Sequence, residues 1–96
     1  MTAPWTLENF IEALDIWTES ENPSDDLRIV VTAWVMSRAD DPYQGVRREA
    51  SFDNYWYGTV PRSLHDDDKV VLCSYWIIES EHVVRCDLIN TLSYPV

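Results

Sequence analysis

Glycine is almost missing from this chain: Gly45 and Gly58 are the only two in ninety-six residues, so no glycine-rich loop can cradle a phosphate or a dinucleotide. Cations are scarce as well. Seven Lys and Arg stand against seventeen Asp and Glu, a net charge of −10 that repels phosphate backbones and attracts basic partners, so free nucleic acid is disfavoured. Cysteine occurs twice, at Cys73 and Cys86, in neither a zinc nor a redox spacing. No run of about twenty apolar residues exists and none follows Met1, which argues against a membrane span and a secretory leader and for a reducing cytoplasm. No cofactor set emerges either. The runs His65-Asp66-Asp67-Asp68 and Glu79-Ser80-Glu81-His82 bring carboxylate and imidazole together, but nothing in the sequence fixes a coordination geometry, and they read as solvated surface.

What is abundant is apolar and aromatic. Hydrophobic residues make up 46% of the chain and include five Trp and five Tyr, enough for one core and a single domain over 1–96. The acidic residues come in short runs among these aromatics, the pattern of a charged surface on a folded domain.

Residues 69–92 alternate as one long β-hairpin turning at Ser80-Glu81 or through a four-residue loop from Glu79 to His82. That register gathers Val71, Cys73, Tyr75, Ile77, Val84, Cys86 and Leu88 on a core face. The opposite face mixes Val70, Leu72, Trp76, Ile78 and Ile89 with Ser74, Arg85 and Asp87. Trp76 then lies opposite Arg85 and Ser74 opposite Asp87, so an indole, a guanidinium and a carboxylate line up across the outer face as a cation–π pair with an adjacent ion pair. Such a row either anchors a partner or simply stabilises the hairpin. Cys73 and Cys86 fall at diagonal positions roughly 7 Å apart on the core face, beyond ordinary disulfide reach, and are expected as buried free thiols with no nucleophilic role.

Upstream, residues 4–8 alternate as a short edge strand. Asn9 and Glu12 have the spacing of a capping box, and Phe10, Ala13, Leu14 and Trp17 follow at helical intervals. Asn22-Pro23 stops that helix and Ser24, ahead of Asp25 and Asp26, starts another. Residues 27–38 carry β-branched Ile29, Val30, Val31 and Val35, yet Leu27, Val30, Val31, Trp34 and Arg38 sit on helical spacing, and the cap before them favours a helix. Strands follow at 46–52 and 55–60, then a polar loop at 61–68. The expected fold is α+β: a short N-terminal strand and an antiparallel helix pair on one face of a mainly antiparallel sheet of three to five strands, the other face open. Some of Trp56, Trp76, Arg85 and Asp87 are expected on that open face, with the outward aromatic among Tyr55, Trp56 and Tyr57 set by a register the sequence does not fix.

This order of elements, with the exit at Asp41-Pro42 and Gly45, a Trp-bearing strand, the segments KVVLCSYWI and HVVRCDLI and a closing Tyr94, resembles the RelE/ParE-type toxins of bacterial toxin–antitoxin systems over nearly the whole chain. The resemblance implies a small α/β microdomain that either cuts messenger RNA on the ribosome or poisons DNA gyrase. It implies Lys69 as the cation opening a strand, Tyr94 as the aromatic beyond the last one, and Arg62 and Arg85 as further positive charge to stabilise a phosphorane. Where the family places a basic cluster, this chain has Asn90-Thr91-Leu92-Ser93. Three expectations result. The first is a toxin-family protein docking on a ribosome or topoisomerase and held by a cognate antitoxin, with messenger-RNA cleavage left open. The second is an acidic antagonist, such as an immunity protein, antitoxin or phage-encoded inhibitor, that blocks a basic nucleic-acid-binding protein. The third is a small homo-oligomer, such as a homodimer, joined through the open face.

Overall fold

Phe10, Leu14 and Trp17 recur at helical spacing, and they are the buried residues of the first helix in the computed structural model, which describes residues 3–93. Chain order is β1 (Thr6–Glu8), α1 (Phe10–Glu21), α2 (Asp25–Met36), a 3-10 turn (Ser37–Ala39), β2 (Arg47–Arg48), β3 (Tyr55–Thr59), β4 (Lys69–Ile78), a second 3-10 turn (Glu79–Glu81) and β5 (Val83–Ser93). The strands make one sheet in the order β1-β5-β4-β3-β2, with β1 parallel to β5 and every other neighbour antiparallel. Both helices cover one side of it. The α+β arrangement is the expected one.

Residues 27–38 are helical despite their β-branched content, because Leu27, Val31 and Val35 all reach the core from one stripe and burial outweighs propensity. Ser24 caps the helix, its Oγ accepting from the Leu27 N–H at 3.2 Å. Asn9 does not behave as expected. It takes a left-handed conformation and its side chain makes no capping bond, so α1 has no capping box. At the other end Asn22, also left-handed, returns its N–H to the Thr18 carbonyl and closes the helix. Trp17 seals α1 against β5, its indole N–H donating to Thr91 Oγ1 at 3.0 Å.

Arg38, expected at the end of the α2 stripe, is 2% exposed, and among the described residues no carboxylate lies within 4.0 Å of it. Its guanidinium lies 3.9 Å over the Trp34 ring and donates to the carbonyls of Trp34 and Gln44 and to Ser37 Oγ. These bonds fasten the loop that leads from the helices back to the sheet. Tyr75 joins them from β4, donating to the Pro42 carbonyl.

The hairpin turns through the four-residue alternative, with Ile78 opposite Val83 and His82 in a left-handed conformation. Trp76 faces Arg85 as expected, but Ser74 faces Leu88 and not Asp87, because the register shifts between Ser74 and Tyr75. Asp87 is the extra residue of a β-bulge, and beyond it every side chain changes face. Hence Ile89 is 4% exposed and Leu88, expected in the core, is 47% exposed. The predicted strand over 46–52 shrinks to Arg47–Arg48, since Glu49 bonds Tyr55 and the chain then turns. Gly58 permits this close pairing: a Cβ there would lie 3.0 Å from the Gly45 carbonyl oxygen and from Val46 Cγ1.

Candidate docking face

The bare side of the sheet collects Glu8 from β1, Arg85, Asp87 and Leu88 from β5, Leu72, Ser74 and Trp76 from β4, and Tyr55 and Tyr57 from β3. These assignments follow from the strand register. Tyr55 pairs with Trp76 and Trp56 with Tyr75, so the outward aromatics of β3 are Tyr55 and Tyr57. Trp56, expected outside, packs instead against the core and edge-on to Tyr43. Alternation along β3 leaves no other choice once Tyr75 is buried beneath the helices.

Tyr55, Trp76 and Phe52 form an aromatic cluster on this face. Ring centroids are 4.5 Å apart for Tyr55–Trp76, 5.5 Å for Phe52–Trp76 and 6.0 Å for Phe52–Tyr55, with the rings tilted or edge-on. Phe52 is half exposed, reaching in from the turn before β3. The Tyr55 hydroxyl donates to Asp87 Oδ2 at 2.6 Å. Partial burial first, and that bond second, push the Tyr55 phenol above its ordinary value.

Arg85 lies across from Trp76 without using it. Its guanidinium turns to β1, where Nε and Nη2 each lie 2.9 Å from Glu8 Oε1. Among the described residues the one cation over a ring is Arg38 on Trp34, so the expected Trp76–Arg85 cation–π pair is replaced by a cross-strand ion pair. Parallel pairing puts Glu8 directly beside Arg85, a contact between residues 77 apart that no local pattern signals. Asp87, expected to join Arg85, is bound by Tyr55.

The remaining candidates scatter. Lys69 opens β4 with the alternation of Val71, on the helix side, in a hollow with Trp17, Ser24, Leu27 and Thr91, and pairs with Asp68 at 3.7 Å. Trp76, and hence Arg85, lies seven residue steps along the hairpin from it, roughly 23 Å away and on the other face. Arg62, left-handed at φ 63, sits beside Pro61 and Trp34 under α2. Tyr94 lies outside the described residues. Lys69, Arg62 and Arg85 therefore do not converge on one phosphate, and the cation cluster implied by the resemblance is not assembled from them.

Cys73 and Cys86 are free and buried. The neighbouring Cys86 thiol first, and burial second, hold the Cys73 thiol well above its usual range, while Cys86 itself donates to the Ser74 carbonyl at 3.8 Å. Of the docking-face residues, Phe52 and Glu8 went unseen in sequence, and Tyr55 was one of three aromatics whose facing was left open. Tyr55 needed the register of β3, Glu8 the pairing of β1, and Phe52 lies in a turn with no periodicity.

No protein-family model matches this chain, and no curated protein or solved structure matches it either.

Proposed function

We propose that this protein acts by binding: an acidic antagonist whose open sheet face docks on a basic partner and blocks that partner's own anionic ligand. The observation that carries this reading is how the chain distributes its charge. Arg28, Arg48, Lys69 and Arg85 are each in an ion pair and Arg38 is buried, so among the described residues Arg47 and Arg62 are the exposed cations without a carboxylate within 4.0 Å. Four of the seventeen carboxylates are so paired; among the described residues the other thirteen have no cation within 4.0 Å, and all of them but the half-buried Glu49 are exposed. Such a surface steers a positively charged protein toward it, while the aromatic cluster supplies apolar area for a lasting contact.

The order of one strand, a helix pair and four further strands also supports a second reading, a RelE/ParE-like protein that docks on a ribosome or gyrase. Expression of the chain alone in a bacterial host separates the two. An antagonist leaves growth unimpaired, co-purifies at low salt with a basic nucleic-acid-binding protein and abolishes that protein's band shift. Growth arrest relieved by Arg85→Ala refutes the antagonist reading in favour of the toxin-like one.

A further inference from the structure

The bulge at Asp87 does more than reset the register: it sets a carboxylate on the Tyr55 hydroxyl, whose ring packs on Trp76, on a surface otherwise built from the alternation of regular strands. We infer that the basic partner is anchored here through one arginine, its guanidinium plane against the Tyr55–Trp76 rings and its N–H fork on the Asp87 carboxylate. The inference rests on the antagonist reading and names the residue that the open face recognises.

Three observations carry it. Asp87 is exposed, and among the described residues its carboxylate receives one hydrogen bond, from Tyr55 to Oδ2, while Oδ1 accepts none and no cation lies within 4.0 Å. The hydroxyl of Tyr55 fixes the carboxylate against the edge of the cluster, so its orientation is set before any partner arrives. Arg85, whose place opposite Trp76 gives it first claim on both ring and carboxylate, is held away by Glu8. The chain already shows the stacking half of this arrangement, where Arg38 lies over Trp34 at 3.9 Å.

Arginine suits this patch better than lysine because its cation is planar and weakly hydrated: it stacks on a ring and offers two parallel donors to one carboxylate. Lysine brings a compact, strongly hydrated charge that satisfies one of those demands at a time. The surplus of carboxylates elsewhere steers the basic partner in, and the patch gives one of its side chains a fixed seat.

The test uses the full chain and two glycine-flanked peptides that differ only in carrying arginine or lysine, followed by amide and indole NMR shifts at low ionic strength. The arginine peptide is expected to move the Trp76 indole N–H and the amides of Tyr55 and Asp87. Asp87→Asn is expected to weaken it at least about tenfold, as does losing a hydrogen bond to a charged group, and the lysine peptide is expected to bind several-fold more weakly. Glu8→Gln supplies an independent check, since a released Arg85 competes for Trp76 and Asp87 and lowers arginine affinity without altering the patch. Shifts that gather on α1 or at residues 66–68, or an Asp87→Asn variant that binds as well as the parent, overturn the inference. A strongly basic polypeptide such as protamine marks which claim has failed: equal binding to parent and Asp87→Asn removes the arginine seat alone, whereas no binding to the parent removes the antagonist reading with it.

Discussion

Leu88 and Ile89 are adjacent, similar in size and opposite in environment, so truncating each in turn tests the bulge that separates them. Ile89 is 4% exposed and belongs to the core formed by both helices and the sheet. Ile89→Ala removes buried methyls and leaves a cavity, a loss of about 2–5 kcal/mol. Leu88 is 47% exposed on the open side. About 1.5–3 kcal/mol accompanies full burial of a leucine, so roughly half of that, about 1 kcal/mol, bounds the cost of Leu88→Ala. In a domain of this size each kcal/mol is worth about 4–8 °C, so the variants should differ in midpoint by on the order of 10 °C or more. Urea titrations followed by tryptophan fluorescence, with thermal scans beside them, give both numbers. A regular hairpin without the bulge reverses the order, because it turns Leu88 inward and Ile89 outward. Equal losses, or a larger one for Leu88, refute the register. Deletion of Asp87 completes the set: it leaves Cys86, Leu88 and Ile89 alternating in, out and in on an uninterrupted ladder. The lost Tyr55 bond and the regained ladder pairing are each worth about 0.5–1.5 kcal/mol, so stability should stay within about 1 kcal/mol of the parent.

Arg38→Leu should lower stability by about 2–3 kcal/mol, read from the urea midpoint, because the Gln44 carbonyl loses its buried donor, and Arg38→Lys should restore less than half since lysine cannot lie flat on Trp34. Burial pushes the Tyr75 phenol up to about 12 against 10.0 in an unfolded chain, with Arg38 pulling less strongly the other way. Between those values the unfolded state loses a proton that the folded state keeps, so the stabilisation is complete below pH 10 and is lost as pH rises toward 12. The loss amounts to about 2–3 kcal/mol, and Tyr75→Phe should flatten this alkaline limb of the stability curve. The thiols should resist iodoacetamide in native buffer at mildly alkaline pH and react on unfolding, because both are buried and Cys73 is held well above its usual range. Stoichiometric alkylation of the native protein within minutes, read by intact mass, contradicts that placement.

Local patterns carried most of the architecture. The helix pair, its Ser24 cap, the long hairpin and the Trp76–Arg85 apposition all follow from spacing within a single element or across one turn. What spacing cannot reveal is an extra residue. Alternation on either side of Asp87 is intact, and only the comparison of Leu88 with Ile89 against the helices betrays the shift. The β3 register was undetermined because Tyr55, Trp56 and Tyr57 all suit a half-buried strand, and the choice falls to Tyr75 across the sheet. On the docking face, Trp76, Asp87 and Arg85 were legible as types at outward positions. Their partners were not, since Glu8 arrives by parallel pairing from the far end of the chain and Phe52 from a turn. Lys69 and Arg62 were proposed by resemblance, and strand alternation carries Lys69 to the covered side.

The parallel seam between β1 and β5 joins the earliest strand to the latest, bringing together Glu8 and Arg85, 77 positions apart. During synthesis the helices can form as soon as they emerge, but their apolar stripes have no sheet to cover until the hairpin is complete. Such dependence on distant pairing slows folding, because a large loop must close before its contacts repay the entropy. Arg85 meets Glu8 only in that closing event, so Trp76 and Asp87 become free of internal competition at the moment the chain reaches its native state.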